Sequence, residues 1–180
     1  MTTPTRYTPL AIGLHWLIAL LILVSFSVGV YMSDLPLSPD KLKIYSWHKW
    51  AGVTIFVLVG LRCAWRIFHR PPALPAGMPP WQQNLATVTH LLLYVLMIAI
   101  PISGWLMSSA KGFQTVYFGV IPLPDLLGKS KEVGDVLEVV HTALNYLMLA
   151  LVALHAAAAV KHRLIDKDDV LARMLPTRRS

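Results

Sequence analysis

Five of the seven histidines in this 180-residue chain, His15, His48, His90, His141 and His155, lie inside or at the edge of long apolar runs. Two share one run, "EVVHTALNYLMLALVALHAAAAVKH", from Glu138 to His162. A buried polar group without a partner costs roughly 2–7 kcal/mol, so each imidazole in such a run needs something to bind. Ionisable residues inside apolar spans mark function more often than not. In a helix, 14 residues give about 21 Å of rise and return to within roughly 40° of the starting azimuth. His141 and His155 therefore face one side of one helix at two well-separated depths. Neutral imidazoles in that arrangement are metal or metallocofactor ligands.

The elements that must position them are transmembrane helices. A bilayer crossing takes about 20 mainly apolar residues, and four stretches qualify: Leu10–Met32, Ser46–Phe68, Leu85–Met107 and Val136–Val160. The second ends in "LRCAWRIFHRPP", where arginines snorkel to the interface and the prolines stop the helix. Pro101 should kink the third and free the carbonyl of Met97. The first run is longer than a signal-peptide core and no A-x-A-like site follows it, so it reads as a retained helix. The expected fold is an all-α integral membrane four-helix bundle, up-down-up-down, forming one domain over residues 1–180. The loop from Ser108 to Asp135 is the longest connection and has room for a short helix.

Composition agrees: 56% of residues are hydrophobic and only 14% charged, unlike a soluble domain. The single cysteine, Cys63, excludes an internal disulfide, and no C-x-x-C-H sequence is present to attach a haem covalently. Both termini on one side collect Arg6, Arg62, Arg66, Arg70, Lys161, Arg163, Lys167, Arg173, Arg178 and Arg179, opposed by Asp166, Asp168 and Asp169. The other side holds Lys41, Lys43, Lys49, Lys111, Lys129 and Lys131, balanced by six acids, so the formal +7 belongs to the terminal side. The positive-inside rule makes that side cytoplasmic and the chain a multi-pass protein of a bacterial inner membrane. The basic excess is accounted for by topology and lipid, and nothing resembles a nucleic-acid module. Trp16, Trp47, Trp50, Trp65, Trp81 and Trp105 all fall near span ends, as an aromatic belt requires.

Topology gives each histidine a depth. His15, His90 and His155 lie toward the cytoplasmic side, His48 and His141 toward the outside, and His69 and His162 at or beyond span ends as solvated residues. His141 thus has His48 at its level, and His155 has His15 or His90. Two stacked bis-histidine sites follow, each fit to hold a non-covalent b haem by one imidazole nitrogen per face. The other ring nitrogen needs an acceptor such as a backbone carbonyl or Asn145. Ala19, Gly52 and Ala159 stand one turn beyond three of the four ligands, where a macrocycle needs small neighbours. A zinc or iron transport site is the alternative of another class, but it would recruit carboxylates or thiolates, and no acid lies in mid-span.

With these features the chain resembles the bacterial cytochrome b561 family of four-helix di-haem b membrane cytochromes. The similarity runs through "GLHWLIALLI", "SWHKWAGVTIFVLVGLRCAWR", "THLLLYVLMIAIPISGW", "VVHTALNYLMLALVALHAAAAVKHR" and "DVLARMLP". The resemblance implies that His15 pairs with His155 and His48 with His141 as axial ligands of the haem irons. It gives His90 a supporting part near a propionate or quinone; by their position near the inner haem, Lys161 and Arg163 are further candidate quinone contacts. It also implies an oxidoreductase that takes electrons from superoxide outside and passes them to ubiquinone; the short loops, which offer little docking surface, favour a free-standing protein with no protein partner required. The outer lysines would steer the anion. One departure is "VVHTALN" around His141, without the tryptophan and glutamate of close relatives; it bears on the donor rather than on ligation. The rival reading is a haem b membrane-anchor subunit shuttling electrons between quinone and a separate dehydrogenase or hydrogenase. Short loops offer such a partner little surface.

Overall fold

In the computed structural model, which describes residues 5–75 and 77–176, four long helices account for most of the chain. They are α1 (Pro9–Ser33), α2 (Pro39–Phe68), α3 (Pro80–Ala110) and α4 (Lys131–Lys161). All four are long and apolar enough to cross a membrane. Each starts beyond its hydrophobic run where local chemistry favours initiation. Thr8, Ser38 and Ser130 accept hydrogen bonds from the backbone N–H groups of Ala11, Lys41 and Val133, satisfying donors that a helix start leaves free. Pro9, Pro39 and Pro80 occupy first-turn positions that do not need a donor. The helices therefore begin before the predicted spans, by seven residues in α2 and five in α3 and α4. Pro101 lies inside α3, which continues past it to Ala110.

Consecutive helices pack against one another as an up-down-up-down bundle, with α1 close to α2 and α3 close to α4. Ile18, Ile55 and Val59 form a small core, joined by Leu14, Leu58, Tyr94 and Met97. Outside it the large apolar side chains, such as Leu20, Val57, Leu91 and Val139, point outward. This inversion of the soluble pattern suits a bundle whose solvent is hydrocarbon, where tight contacts and small residues hold helices together. α4 meets the first two helices through rings: His15 with His155, His48 with His141 and Phe26 with Tyr146.

The α3–α4 connection corrects one expectation. Instead of a short helix it carries a two-stranded antiparallel hairpin, β1 (Val116–Tyr117) with β2 (Ile121–Pro122). Three residues join the strands, and Phe118 and Gly119 among them both have positive φ, at 50° and 72°, in a turn closed by the Val120 amide donating to Tyr117 O at 3.1 Å; glycine adopts that backbone without strain. The hairpin is tied to α2, since the Trp50 indole donates to the Val116 carbonyl at 2.7 Å and Thr54 Oγ1 lies 2.9 Å from the Tyr117 hydroxyl. Trp105 donates to Pro124 O at 3.0 Å, Trp16 to Met174 O at 2.8 Å and Trp65 to Thr8 Oγ1 at 2.9 Å. Four of the six tryptophans are thus ties between helices and connecting chain as well as interface residues.

At the other end, which we call the terminal face, α4 runs into a π-helical turn (His162–Asp166) and then a 3-10 turn (Ala172–Met174). Arg6 donates to the carbonyls of Ala172 and Leu175, fastening the C-terminal segment beside the start of α1. His162 is not solvated as its position in the sequence suggests: its Nδ1 lies 2.7 Å from Asp168 and 3.1 Å from Asp166. His69 is exposed and stacks on Trp65 at 3.7 Å. Arg178 and Arg179, counted in the charge asymmetry, lie outside the described residues.

Candidate redox site

The bundle brings the histidines into two clusters, one near the hairpin and one toward the terminal face. At the hairpin face, His48 from the third turn of α2 and His141 from α4 have ring centroids 6.3 Å apart and planes at 83°. Each ring is oriented by a helix that supplies no histidine there. His48 Nδ1 lies 3.1 Å from the Ser25 carbonyl and 3.3 Å from Ser25 Oγ. His141 Nδ1 lies 3.1 Å from the Ile100 carbonyl and 2.9 Å from Ser103 Oγ. A carbonyl only accepts, so in both rings Nδ1 carries the proton and Nε2 keeps its lone pair for a ligand. Asn145 is not the acceptor: its amide donates to the backbone carbonyl of His141 at 2.8 Å.

Space for these rings is made by glycine. A Cβ on Gly29 would stand 3.2 Å from His48 Cε1, and one on Gly104 would stand 3.0 Å from His141 Cε1. Both contacts are tighter than most that a Cβ makes, so a methyl group at either position would press the ring aside by a few tenths of an ångström. A Cβ on Gly52, one turn after His48, would meet nothing within 4 Å. Helix packing therefore does not require that glycine, and the space beside it is open to a planar group.

Toward the terminal face three rings converge. His15 of α1 and His155 of α4 have centroids 6.1 Å apart at 70°, and His90 of α3 stands 5.2 Å from His155 at 67°. Arg62 reaches across from α2, donating to Ala11 O at 3.1 Å and to the Tyr94 hydroxyl at 2.9 Å. Lys161 is committed to Asp166 at 2.6 Å, and Arg163 is exposed in the turn beyond α4. These two cations are not gathered around His90 as the three histidines are gathered around one another.

The chemistry of the donor set suits a bis-imidazole metal centre. An imidazole nitrogen binds a first-row metal ion at about 2 Å, so two rings on opposite sides of one ion have centroids roughly 6 Å apart. The pairs at 6.1 and 6.3 Å fit that spacing, and His90–His155 at 5.2 Å is too close. Among the described residues no carboxylate or thiolate joins either cluster, which favours a metal already held by a macrocycle. Ser25, Ser103, Gly29 and Gly104 are not singled out by residue type alone, and Arg62 stands out in the sequence only as a terminal-side charge. Their signal is nevertheless present: "SFSVG" and "PISG" place a serine and a glycine within one turn inside apolar spans.

The family model described as prokaryotic cytochrome b561 matches residues 6–177. Among curated proteins, cytochrome b561 homolog 2 of Escherichia coli K12 is 33% identical over 174 residues, covering 96% of this chain and 93% of its own. A Yersinia pestis protein named "Probable superoxide oxidase CybB" is 31% identical over 97% of this chain and 98% of its own. Cytochrome b561 homolog 1 of E. coli K12 is 27% identical over 97% and 99%. With four membrane-spanning helices and a histidine-lined interior, the chain belongs to the prokaryotic cytochrome b561 family, bacterial multi-pass membrane proteins that bind haem b and transfer electrons.

Proposed function

We propose that this chain, as a single domain over residues 1–180, carries electrons across the inner membrane through two b haems, from superoxide outside to ubiquinone. The observation that carries the proposal is the repetition of one ring spacing, 6.1 and 6.3 Å, at two depths of α4 separated by 14 residues. His48 and His141 ligate at the hairpin face, His15 and His155 toward the terminal face. His90, too near His155 to share an ion with it, is left to contact a propionate or the quinone, with Lys161 and Arg163 nearest the membrane surface.

Haem b would supply one-electron chemistry between ferric and ferrous iron, and held by two histidines it would exchange electrons without binding the donor at the metal. The protein's part is to hold each ring in one tautomer, through Ser25 and Ser103 and their neighbouring carbonyls, and to keep the path dry. The charge asymmetry supports cytoplasmic termini, which makes the hairpin face the outer one. Two superoxide anions would each give up one electron there and leave as dioxygen, and ubiquinone would take the two electrons with two protons.

Support for superoxide comes from the Yersinia relative's name and from the outer lysines. Lys111 pairs with Glu138 and Asp135, and Lys131 with Asp135. Lys49, one residue from His48, donates to Phe113 O at 2.9 Å and forms no ion pair among the described residues, with Asp125 the acid whose charge reaches it. Stopped-flow reduction of the purified cytochrome by superoxide and by ubiquinol tests the assignment. The expected result is fast reduction by superoxide, followed by reoxidation with ubiquinone. A superoxide rate at the protein-free background, beside rapid ubiquinol reduction, would instead fit a membrane-anchor subunit.

A further inference from the structure

At the terminal face α1, α2 and α3 enclose a cavity of about 260 Å³ lined by Arg6, Arg62, Arg66 and Arg70 with aromatic walls that include Trp65 and Tyr94. No aspartate or glutamate lines it. The acids at this end are engaged elsewhere: Asp166 with Lys161 at 2.6 Å, Asp168 with His162 at 2.7 Å and Asp169 with Arg173 at 2.7 Å. Arg62 and Arg6 have hydrogen-bond partners, but these are carbonyls and a phenol, which satisfy donors without neutralising charge. Arg66 lies over the Tyr94 ring at 5.7 Å. Four guanidinium groups thus share one largely apolar cleft with no carboxylate in its lining, and a bound anion would relieve their mutual repulsion.

We propose that this cleft binds the phosphate of an anionic phospholipid. Guanidinium forks match phosphate oxygens two at a time and remain charged at any physiological pH. The position favours a lipid over a free anion. Arg70 lies just beyond the end of α2 and Arg6 just before the start of α1, at headgroup depth, while Leu10, Ile67 and Phe68 beside them are exposed as acyl-chain contacts. Basic pockets between transmembrane helices at a membrane surface are a recurrent way of holding such headgroups. The proposal is independent of the donor and acceptor assigned above.

Native mass spectrometry of the delipidated, haem-loaded protein, titrated with phosphatidylglycerol or phosphatidylcholine, tests it. Wild type should bind one phosphatidylglycerol more tightly than phosphatidylcholine, and salt should weaken only the former. Arg66→Gln with Arg70→Gln should lower phosphatidylglycerol affinity by roughly thirtyfold, with phosphatidylcholine binding, haem content and the reduced spectrum unchanged. Lys167→Gln, an exposed cation on the same face, should change nothing. Salt-insensitive phosphatidylglycerol binding in wild type, or an equal loss in Lys167→Gln, would overturn the site. So would competition by inorganic phosphate at the lipid's own concentration, which would mark a site for free anions. Loss of haem or an altered reduced spectrum in the double variant would assign the arginines to a haem propionate instead.

Discussion

At the scale of single residues, the two clusters differ in how their rings are held. His48 and His141 each set Nδ1 against a carbonyl and a buried serine, whereas the rings of His15, His90 and His155 make no hydrogen bond among the described residues. Acceptors on Nδ1–H make the opposite nitrogen a stronger donor and favour ferric iron. Ser25→Ala with Ser103→Ala should therefore raise the midpoint potential of one haem and leave the other, in a spectroscopic redox titration. An unchanged titration would mean that the carbonyls alone set the rings. Gly104→Val would drive a side chain into the His141 ring, whose Cε1 already lies 3.0 Å from the nearest substituent position. That variant should keep about half of the haem in a pyridine haemochrome assay, as should His48→Ala and His141→Ala. His15→Ala should likewise lose one haem, while His90→Ala keeps both. The reverse outcome would make His90 the ligand, against the 5.2 Å spacing.

At the scale of elements, the sequence makes the helices plain because membrane spans are the loudest pattern a chain can carry, whereas their ends depend on caps lying outside the apolar runs. Ser38 and Ser130 extend α2 and α4 by a full turn or more, a length that hydropathy cannot register. The hairpin was missed for a different reason. Its strands are two residues each, and Phe118 takes a positive φ that nothing in its side chain announces. What fixes it is tertiary: the Trp50 indole and Thr54 on α2 hold the Val116 carbonyl and the Tyr117 hydroxyl. Trp50→Phe keeps the apolar body and removes the donor, at a cost of about 1 kcal/mol for one hydrogen bond. Hydrogen exchange should then quicken at Gly119 and Val120, whose amides close the turn, while amides in the α4 interior keep their protection. Equal quickening in both places would show the hairpin to be part of the bundle's cooperative unit rather than a strap upon it. The histidine depths were readable in the same way as the spans, because 14 residues on one helix fix both rise and face. The choice between His15 and His90 was not, since both lie at one depth and only the packing of α1, α3 and α4 separates 6.1 from 5.2 Å.

For the whole molecule, the arrangement of charge bears on the proposed donor and on the end at which it would enter. The terminal face carries the net positive charge, yet the anion assigned to the opposite face must find its way there through a field that sums to zero. Local placement resolves this: Lys111 and Lys131 are spent on Asp135 and Glu138, while among the described residues Lys49 beside His48 and Lys43 above Trp47 form no ion pair. Attraction of a small anion by such charges is screened over a Debye length of about 8 Å at physiological ionic strength. The second-order rate of reduction by superoxide should therefore fall as salt rises, and Lys49→Glu should slow it severalfold, because it replaces attraction by repulsion one residue from a ligand. Lys131→Glu, remote from the rings and already neutralised by Asp135, should slow it far less. Reduction by ubiquinol should show neither effect, since a neutral, lipid-borne donor approaches from within the bilayer and meets none of these lysines on its path. Equal salt dependence for the two donors would locate the effect in the protein's own stability. A superoxide rate indifferent both to salt and to Lys49→Glu would mean that the anion does not enter beside His48, and would remove the electrostatic support for superoxide as the donor.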